Sequence, residues 1–115
     1  MSIDRREPPY DARQIANLFL DIAESKRVTL TNMAVNKLVF FSHAHYLAVR
    51  ACALVHNPFE AWDHGPVAPA VYAEFRRFGA SPITSRATVL DISSDIRRVA
   101  PTNLTESDRR FVAQI

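Results

Sequence analysis

The segment from Phe59 to Gly79 constrains the fold of this 115-residue chain more than any other. It contains the only tryptophan, both glycines and two of the seven prolines. The Gly65-Pro66 step and Pro69 predict a stiff turn, because a proline ring fixes its own backbone angle. The turn leads into an amphipathic helix that ends at Gly79. The apolar face of this helix comprises Val67, Val71, Phe75 and Phe78. Stiff turns flanked by aromatic residues present a fixed surface, which indicates binding rather than catalysis.

Length and composition predict a single domain over residues 10–115. A chain that is 48% apolar at this length can bury one modest core. Cys52 is the only cysteine, so an internal disulfide is excluded, and we expect a cytoplasmic location. Residues 1–9 carry charges and two prolines without an apolar run behind them, which predicts a disordered tail and not a signal peptide. No stretch reaches the roughly 18 apolar residues of a membrane span.

The basic residues are scattered and do not form one cluster. The net charge is +2, and arginine supplies nearly all of the positive charge. The arginine pairs are Arg5-Arg6, Arg76-Arg77, Arg97-Arg98 and Arg109-Arg110. Nucleic-acid-binding proteins usually concentrate such charge on one face. The distribution therefore disfavours nucleic acid as a partner, and a DNA-binding regulator stays as the second alternative.

A first helix is predicted from its capping residues. Asp11 is a good N-cap, and Gln14 follows at the position of a capping-box partner. The apolar positions Ile15, Leu18, Phe19 and Ile22 share one face, and the polar face comprises Arg13, Asn17, Asp21 and Glu24. The helix should end between Ser25 and Arg27.

A second, central helix is predicted to begin after Thr29 or Thr31 and to run toward Val55. Its apolar positions extend almost all round the axis, as in a helix packed by neighbours on most sides. The narrow polar stripe of Asn32, Asn36, His43 and Arg50 is predicted to face solvent. Lys37 instead projects with Phe41, Ala44, Ala48 and Ala51. A lysine on such an apolar face needs a carboxylate or carbonyl groups, or must extend along its stem to reach solvent, and we expect Glu60 or Asp63 to hold it.

The other elements are shorter. Residues 59–62 predict an extended segment, and residues 86–91 a strand that could pair with it. Residues 94–99 favour a short helix or a turn. Thr105 predicts the start of a last helix, cut short after about three turns, with Phe111, Val112 and Ile115 facing inward. The predicted fold is thus mainly α, a compact helical domain around the central helix, with a small two-stranded β ribbon from the Trp62 and Val89 segments.

Common catalytic and metal-binding patterns are absent from the sequence. His45 and Cys52 would lie about 10 Å apart along a helix, too far for one ion. The only two glycines, at positions 65 and 79, exclude a P-loop and a dinucleotide fingerprint. We therefore predict no catalytic residue, no metal and no cofactor. A small enzyme with a Lys37, Glu60 and His64 pocket stays as a distant alternative.

Two stretches resemble the Panacea domain family, which includes SocA-like antitoxins and phage-associated GepA proteins. The first is the lysine and apolar-aromatic run of residues 37–48. The second is the box from Pro58 to Tyr72, with its Glu-Ala-Trp and Gly-Pro-Val-Ala-Pro steps, followed by residues 75–79. The resemblance implies an antitoxin of a toxin-antitoxin module, often prophage-borne, that neutralises its toxin by direct binding. It also implies a role as an adapter that hands the toxin to the ClpXP protease. It implies no catalytic residues.

The candidate partner-binding residues follow from this reading. They are Lys37, Glu60, Trp62, His64, Gly65, Pro66 and Tyr72. We expect this box to be held rigidly against the central helix, with the partner docking beside the Gly65-Pro66 turn. The oligomeric state, the toxin and its target are left open.

Overall fold

A computed structural model describes residues 7–115, so residues 1–6 of the predicted tail lie outside the described residues. Residues 7–115 form four helices and two β-hairpins. Helices α1 and α2 span Ala12–Ser25 and Asn32–Arg50. Strands β1 and β2 span Glu60–Trp62 and Gly65–Val67, helix α3 spans Pro69–Phe75, and a 3₁₀ turn spans Arg76–Phe78. Strands β3 and β4 span Thr88–Asp91 and Ile96–Val99, and helix α4 spans Glu106–Ala113. The fold is mainly α, as predicted.

Helix α1 begins at the predicted capping box. The Asp11 side chain accepts from the backbone, and Gln14 Oε1 accepts the Asp11 N–H at 3.0 Å. Ile15, Leu18 and Phe19 are buried, which confirms the predicted core face. The assignment of Asn17 to the wet face is wrong. Asn17 is buried because its amide binds backbone groups of Ala87 and Ala100, which flank the second hairpin.

Helix α2 begins at Thr31, whose hydroxyl accepts the Ala34 N–H at 3.2 Å. It ends at Arg50, before the predicted end near Val55. Ala51 adopts a left-handed conformation with φ of +57°, and its N–H donates to the Leu47 carbonyl at 3.0 Å. The chain then becomes extended, and Val55 forms a parallel bridge with Tyr10. Pairing with the N-terminal segment therefore replaces the last predicted turn of the helix.

The orientation of α2 is opposite to the predicted one. The residues of the predicted apolar face are all exposed, namely Lys37, Phe41, Ala44, Ala48 and Ala51. Two members of the predicted solvent stripe, Asn32 and Asn36, are buried instead. Helix α2 is thus central in the domain but packed on one side. The side-chain amides of Asn32 and Asn36 face inward, because they bind backbone groups inside the domain.

The strands form two separate antiparallel hairpins. β1 pairs with β2, with Ala61 opposite Pro66. β3 pairs with β4, with Val89 opposite Arg98. The predicted ribbon between the Trp62 and Val89 segments is wrong, as is the helix or turn over residues 94–99. Each strand pairs with its nearest neighbour along the chain, since a short loop closes at a lower entropic cost. Val67 consequently belongs to β2 and not to α3.

Helix α4 begins at Thr105 as predicted, and the Thr105 hydroxyl accepts the Asp108 N–H at 3.1 Å. Val112 faces the core, Phe111 packs at its margin, and Ile115 is exposed, contrary to the prediction. None of the helices within residues 7–115 combines the length and hydrophobicity needed to span a bilayer.

Candidate partner-binding surface

The β1–β2 hairpin carries most of the predicted site residues and has a two-residue turn. Trp62 pairs with Gly65, so Asp63 and His64 form the loop between the strands. Gly65 has a φ of +124°, which side-chain-bearing residues rarely adopt. A Cβ on Gly65 would lie 3.4 Å from Cε of Lys37. The backbone angle therefore favours glycine at this position, and the lysine stem of α2 lies beside it.

Two buried asparagines of α2 fix the hairpin and α3 in place. Asn36 Oδ1 accepts the N–H of Ala68, the N-cap of α3, at 3.0 Å. Asn32 Nδ2 donates to the carbonyl of Tyr72 at 3.1 Å. The two amides are joined by a 2.8 Å bond from Asn36 Nδ2 to Asn32 Oδ1. A helix of seven residues leaves most of its backbone groups without helical partners, and the two asparagines satisfy one such group at each end.

Trp62 is both braced and exposed. Its Nε1 donates to Oε1 of Glu60 at 2.8 Å. Its ring lies 4.7 Å from the Tyr72 ring, between centroids, at 67°. The side chain nevertheless leaves 39% of its area exposed to solvent. An aromatic side chain held in one orientation while partly exposed loses little conformational entropy when a partner covers it.

A shallow groove of about 420 Å³ opens between α2 and the hairpin. Its lining residues are Phe40, Phe59, Glu60, Ala61, Trp62, Gly65 and Pro66. The rings of Phe40 and Phe59 meet edge to face, with centroids 5.3 Å apart. His43 lies behind Phe59 with a centroid distance of 5.2 Å, and burial lowers its pKa. The groove is therefore largely apolar and has a firm aromatic wall.

Lys37 lies beside this groove and is exposed. Among residues 7–115 its ammonium has no ion pair with Glu60 or Asp63, so the predicted pairing is wrong. Glu60 binds the Trp62 indole instead. The lysine stem passes over Gly65 and the ammonium reaches solvent, where water satisfies it at less cost than a fixed ion pair.

The structure brings most of the predicted site residues together. Lys37 approaches Gly65, Trp62 contacts Glu60 and Tyr72, and Pro66 lines the groove. His64 is exposed in the loop and does not line the groove. Of Lys37, Glu60 and His64, the three residues considered for an enzyme pocket, only Glu60 lines the groove.

Sequence reasoning did not single out Phe40 and Phe59 as part of this surface. The sequence predicts Phe40 as part of an apolar run, and Phe59 as the start of an extended segment that could pair with residues 86–91. The alternation of residues 59–62 was the available signal, because it places Phe59 and Ala61 on one face of an extended segment.

A second polar cluster, also not predicted, holds α4 against α1 and α2. The buried Asp108 carboxylate accepts from the Tyr10 hydroxyl at 2.7 Å and the Tyr46 hydroxyl at 2.8 Å. Arg50 donates to it at 2.6 Å and lies 5.0 Å from the Phe111 ring centroid. Burial, with the Asp108 hydrogen bond, raises the pKa of Tyr46 to about 12. Asp108 is the third residue after the N-cap Thr105, and the pattern that predicts this helix start gives no indication of its burial.

The arginines are largely engaged by acidic residues. Salt bridges join Arg13 to Asp11, Arg50 to Asp108, Arg86 to Asp21 and Glu24, Arg97 to Glu74, Arg98 to Asp91, and Arg110 to Glu106. These pairs reduce the positive field available to a nucleic acid. Within the described part of the chain, no three metal-ligating side chains come together.

Comparison with known proteins agrees with the resemblance found in the Pro58 to Tyr72 box, which contains the β1–β2 hairpin. The family model described as "Antitoxin SocA-like, Panacea domain" matches residues 35–115, from α2 to the end of the chain. The chain belongs to this family. It is similar to Antitoxin SocA of Caulobacter vibrioides (strain NA1000 / CB15N), with 42% identity over 86 residues. The alignment covers 75% of this chain and 46% of that protein, so the chain spans about half the length of its curated relative. No solved structure matches it significantly.

Membership in the Panacea domain family confirms the resemblance inferred from residues 37–48 and 58–72. The matched range includes the groove, both hairpins and Asn36, and it begins after Asn32.

Proposed function

We propose that this Panacea domain chain is a cytoplasmic antitoxin that neutralises a toxin by binding it directly through the hairpin surface. Trp62 carries the proposal, because it is fixed by Glu60 and Tyr72 while 39% of its area stays exposed. Tryptophans of this kind dominate binding energy in protein interfaces. The apolar groove beside Trp62 supplies a second anchoring point.

The geometry favours binding over chemistry. The groove is lined by phenylalanine, tryptophan, alanine and proline side chains, and it holds no nucleophile paired with a base. We therefore propose a non-enzymatic mechanism, in which the antitoxin covers a functional surface of the toxin. The pairing of arginines with carboxylates gives the DNA-binding alternative no specific support.

A further part of the proposal concerns the fate of the complex. We propose that the chain acts as an adapter that delivers the toxin to the ClpXP protease, in a module carried by a prophage or associated with a phage, as in GepA proteins. An adapter needs a second surface that stays free when the toxin is bound. The exposed apolar face of α2, with Phe41 and Ala48, is available for that contact.

Co-expression with the neighbouring reading frame tests the proposal. We expect the neighbouring protein to arrest growth, this chain to restore it, and the two proteins to purify together. Trp62→Ala should weaken the complex by roughly 30-fold, corresponding to about 2 kcal/mol. The matched control is Ile92→Ala, because Ile92 is exposed in the other hairpin and lies outside the groove.

Thermal melts of both variants separate loss of binding from loss of folding. Weaker binding by folded Trp62→Ala supports the proposal. A full rescue by this variant, or arrest that the native chain cannot relieve, refutes the hairpin surface or the antitoxin function respectively.

A further inference from the structure

We propose that the toxin supplies an extended segment that adds to the free edge of β1 as a third strand. The segment places one large apolar side chain in the groove and an acidic side chain at Lys37. This inference rests on the proposed function, and it names how the partner is held.

The hydrogen-bonding pattern of the hairpin leaves one edge of β1 open. Ala61 lies opposite Pro66, which has no N–H and so cannot donate to its partner. The two residues therefore form a non-hydrogen-bonded pair of the antiparallel ladder. The N–H and C=O of Ala61 consequently point away from β2, toward the outer edge.

This edge is accessible. All three residues of β1 are exposed, and within residues 7–115 the strand pairs with β2 and with no other strand. The Ala61 side chain is a single methyl group, so nothing bulky projects at the point of approach. An unpaired donor and acceptor on an exposed edge form a template for another strand.

The groove lies beside the open edge. Phe59, Ala61 and Pro66 all line it, with Phe40 on the opposite side. Because side chains alternate along a strand, a residue of the added strand beside Ala61 would project over the groove. A volume of about 420 Å³ accepts a leucine or phenylalanine side chain.

The charge of Lys37 favours an acidic residue in the added segment. Lys37 is the cation beside the groove, and no carboxylate within residues 7–115 neutralises it. Glu60 is engaged by the Trp62 indole, and Asp63 lies in the hairpin loop. An acidic residue near the apolar anchor would pair with Lys37. A helical ligand could fill the groove but could not satisfy both backbone groups of Ala61.

Ala61→Pro tests the strand addition directly. Proline at this position removes the outward N–H but no bond of the β1–β2 ladder, just as Pro66 does on the other strand. Ala61→Ser is the matched control, because it changes the side chain and keeps the N–H. Circular dichroism and a thermal melt should show both variants folded.

Two probes are used. Peptides selected from a displayed random 12-residue library on the native chain should carry an apolar residue close to an acidic one. Their affinity, and that of the toxin from the growth assay, should fall at least about tenfold for Ala61→Pro and little for Ala61→Ser. The Ala61 amide should exchange slowly with deuterium when either probe is bound.

Several results would overturn the inference. They are equal binding by the proline and serine variants, rapid exchange of the Ala61 amide in the complex, no enrichment of peptides, or a dimer of this chain that Ala61→Pro dissociates. The last would identify a second copy as the occupant. If the toxin is neutralised with Ala61 unprotected, the strand addition fails while the proposed function stands. If no toxin is neutralised, the proposed function fails while the peptide results still decide the edge.

Discussion

Replacing Asp108 by alanine should destabilise the domain by about 4 kcal/mol. The carboxylate is buried and accepts from Tyr10, Tyr46 and Arg50 at 2.6 to 2.8 Å. Alanine would leave two buried hydroxyl donors without acceptors, and each costs about 1–3 kcal/mol. Arg50 loses less, because it is partly exposed and keeps its bond to Ser107 at 3.0 Å. The sum agrees with the roughly 3–5 kcal/mol measured when one partner of a buried ion pair is removed.

Urea unfolding followed by circular dichroism measures this loss. Glu106→Ala is the control, since its ion pair with Arg110 is exposed and should contribute less than about 0.5 kcal/mol. Adding Tyr46→Phe to Asp108→Ala removes one stranded hydroxyl and should recover part of the stability, whereas Tyr10 is left intact because its hydroxyl also accepts the Thr105 N–H. A loss below about 1 kcal/mol for Asp108→Ala, or no recovery in the double variant, would refute the reasoning.

Four further outcomes follow from single positions. Ala51→Gly should stabilise the domain by about 1 kcal/mol in a urea titration, because a residue with a Cβ is disfavoured at φ of +57°. Ser42→Ala should be neutral or stabilising by up to about 1 kcal/mol in the same assay, since the buried Ser42 hydroxyl has no partner among the described residues. Asn36→Leu should lower stability by about 2 kcal/mol and weaken toxin binding in a pull-down, because it leaves the Ala68 N–H unpaired. The pKa of Tyr46 is about 12 in the folded protein and about 10 in the unfolded chain. Its contribution to the free energy of unfolding should therefore be fully present below pH 10 and be lost as the pH rises toward 12. In Tyr46→Phe, the free energy of unfolding should depend less on pH across that range.

Much of the candidate surface could be predicted from local sequence. The Gly-Pro step, Trp62 and Tyr72 indicated a stiff aromatic turn, and the structure contains a hairpin braced by that aromatic pair. The partner wall of Phe40 could not be predicted, because a continuous apolar run does not show which of its residues faces a distant strand. The lack of an ion pair at Lys37 also depended on tertiary contacts, because Glu60 binds the Trp62 indole instead.

The sequence by itself determined where α1, α2 and α4 begin. Asp11 with Gln14, Thr31, and Thr105 each cap a helix through bonds to residues two or three positions away. Contacts of this range are encoded locally, so a single sequence is enough to predict them.

Only the tertiary structure decided which polar residues are buried and which face of α2 is exposed. Asn17, Asn32, Asn36 and Asp108 are all buried, although their spacing placed the asparagines on solvent faces. Each satisfies groups far away in the chain: strand-flanking carbonyls, the ends of α3, or two tyrosine hydroxyls. A polarity pattern records what a side chain can bind. It does not record which distant backbone groups lack partners, and those groups fix the orientation of the central helix.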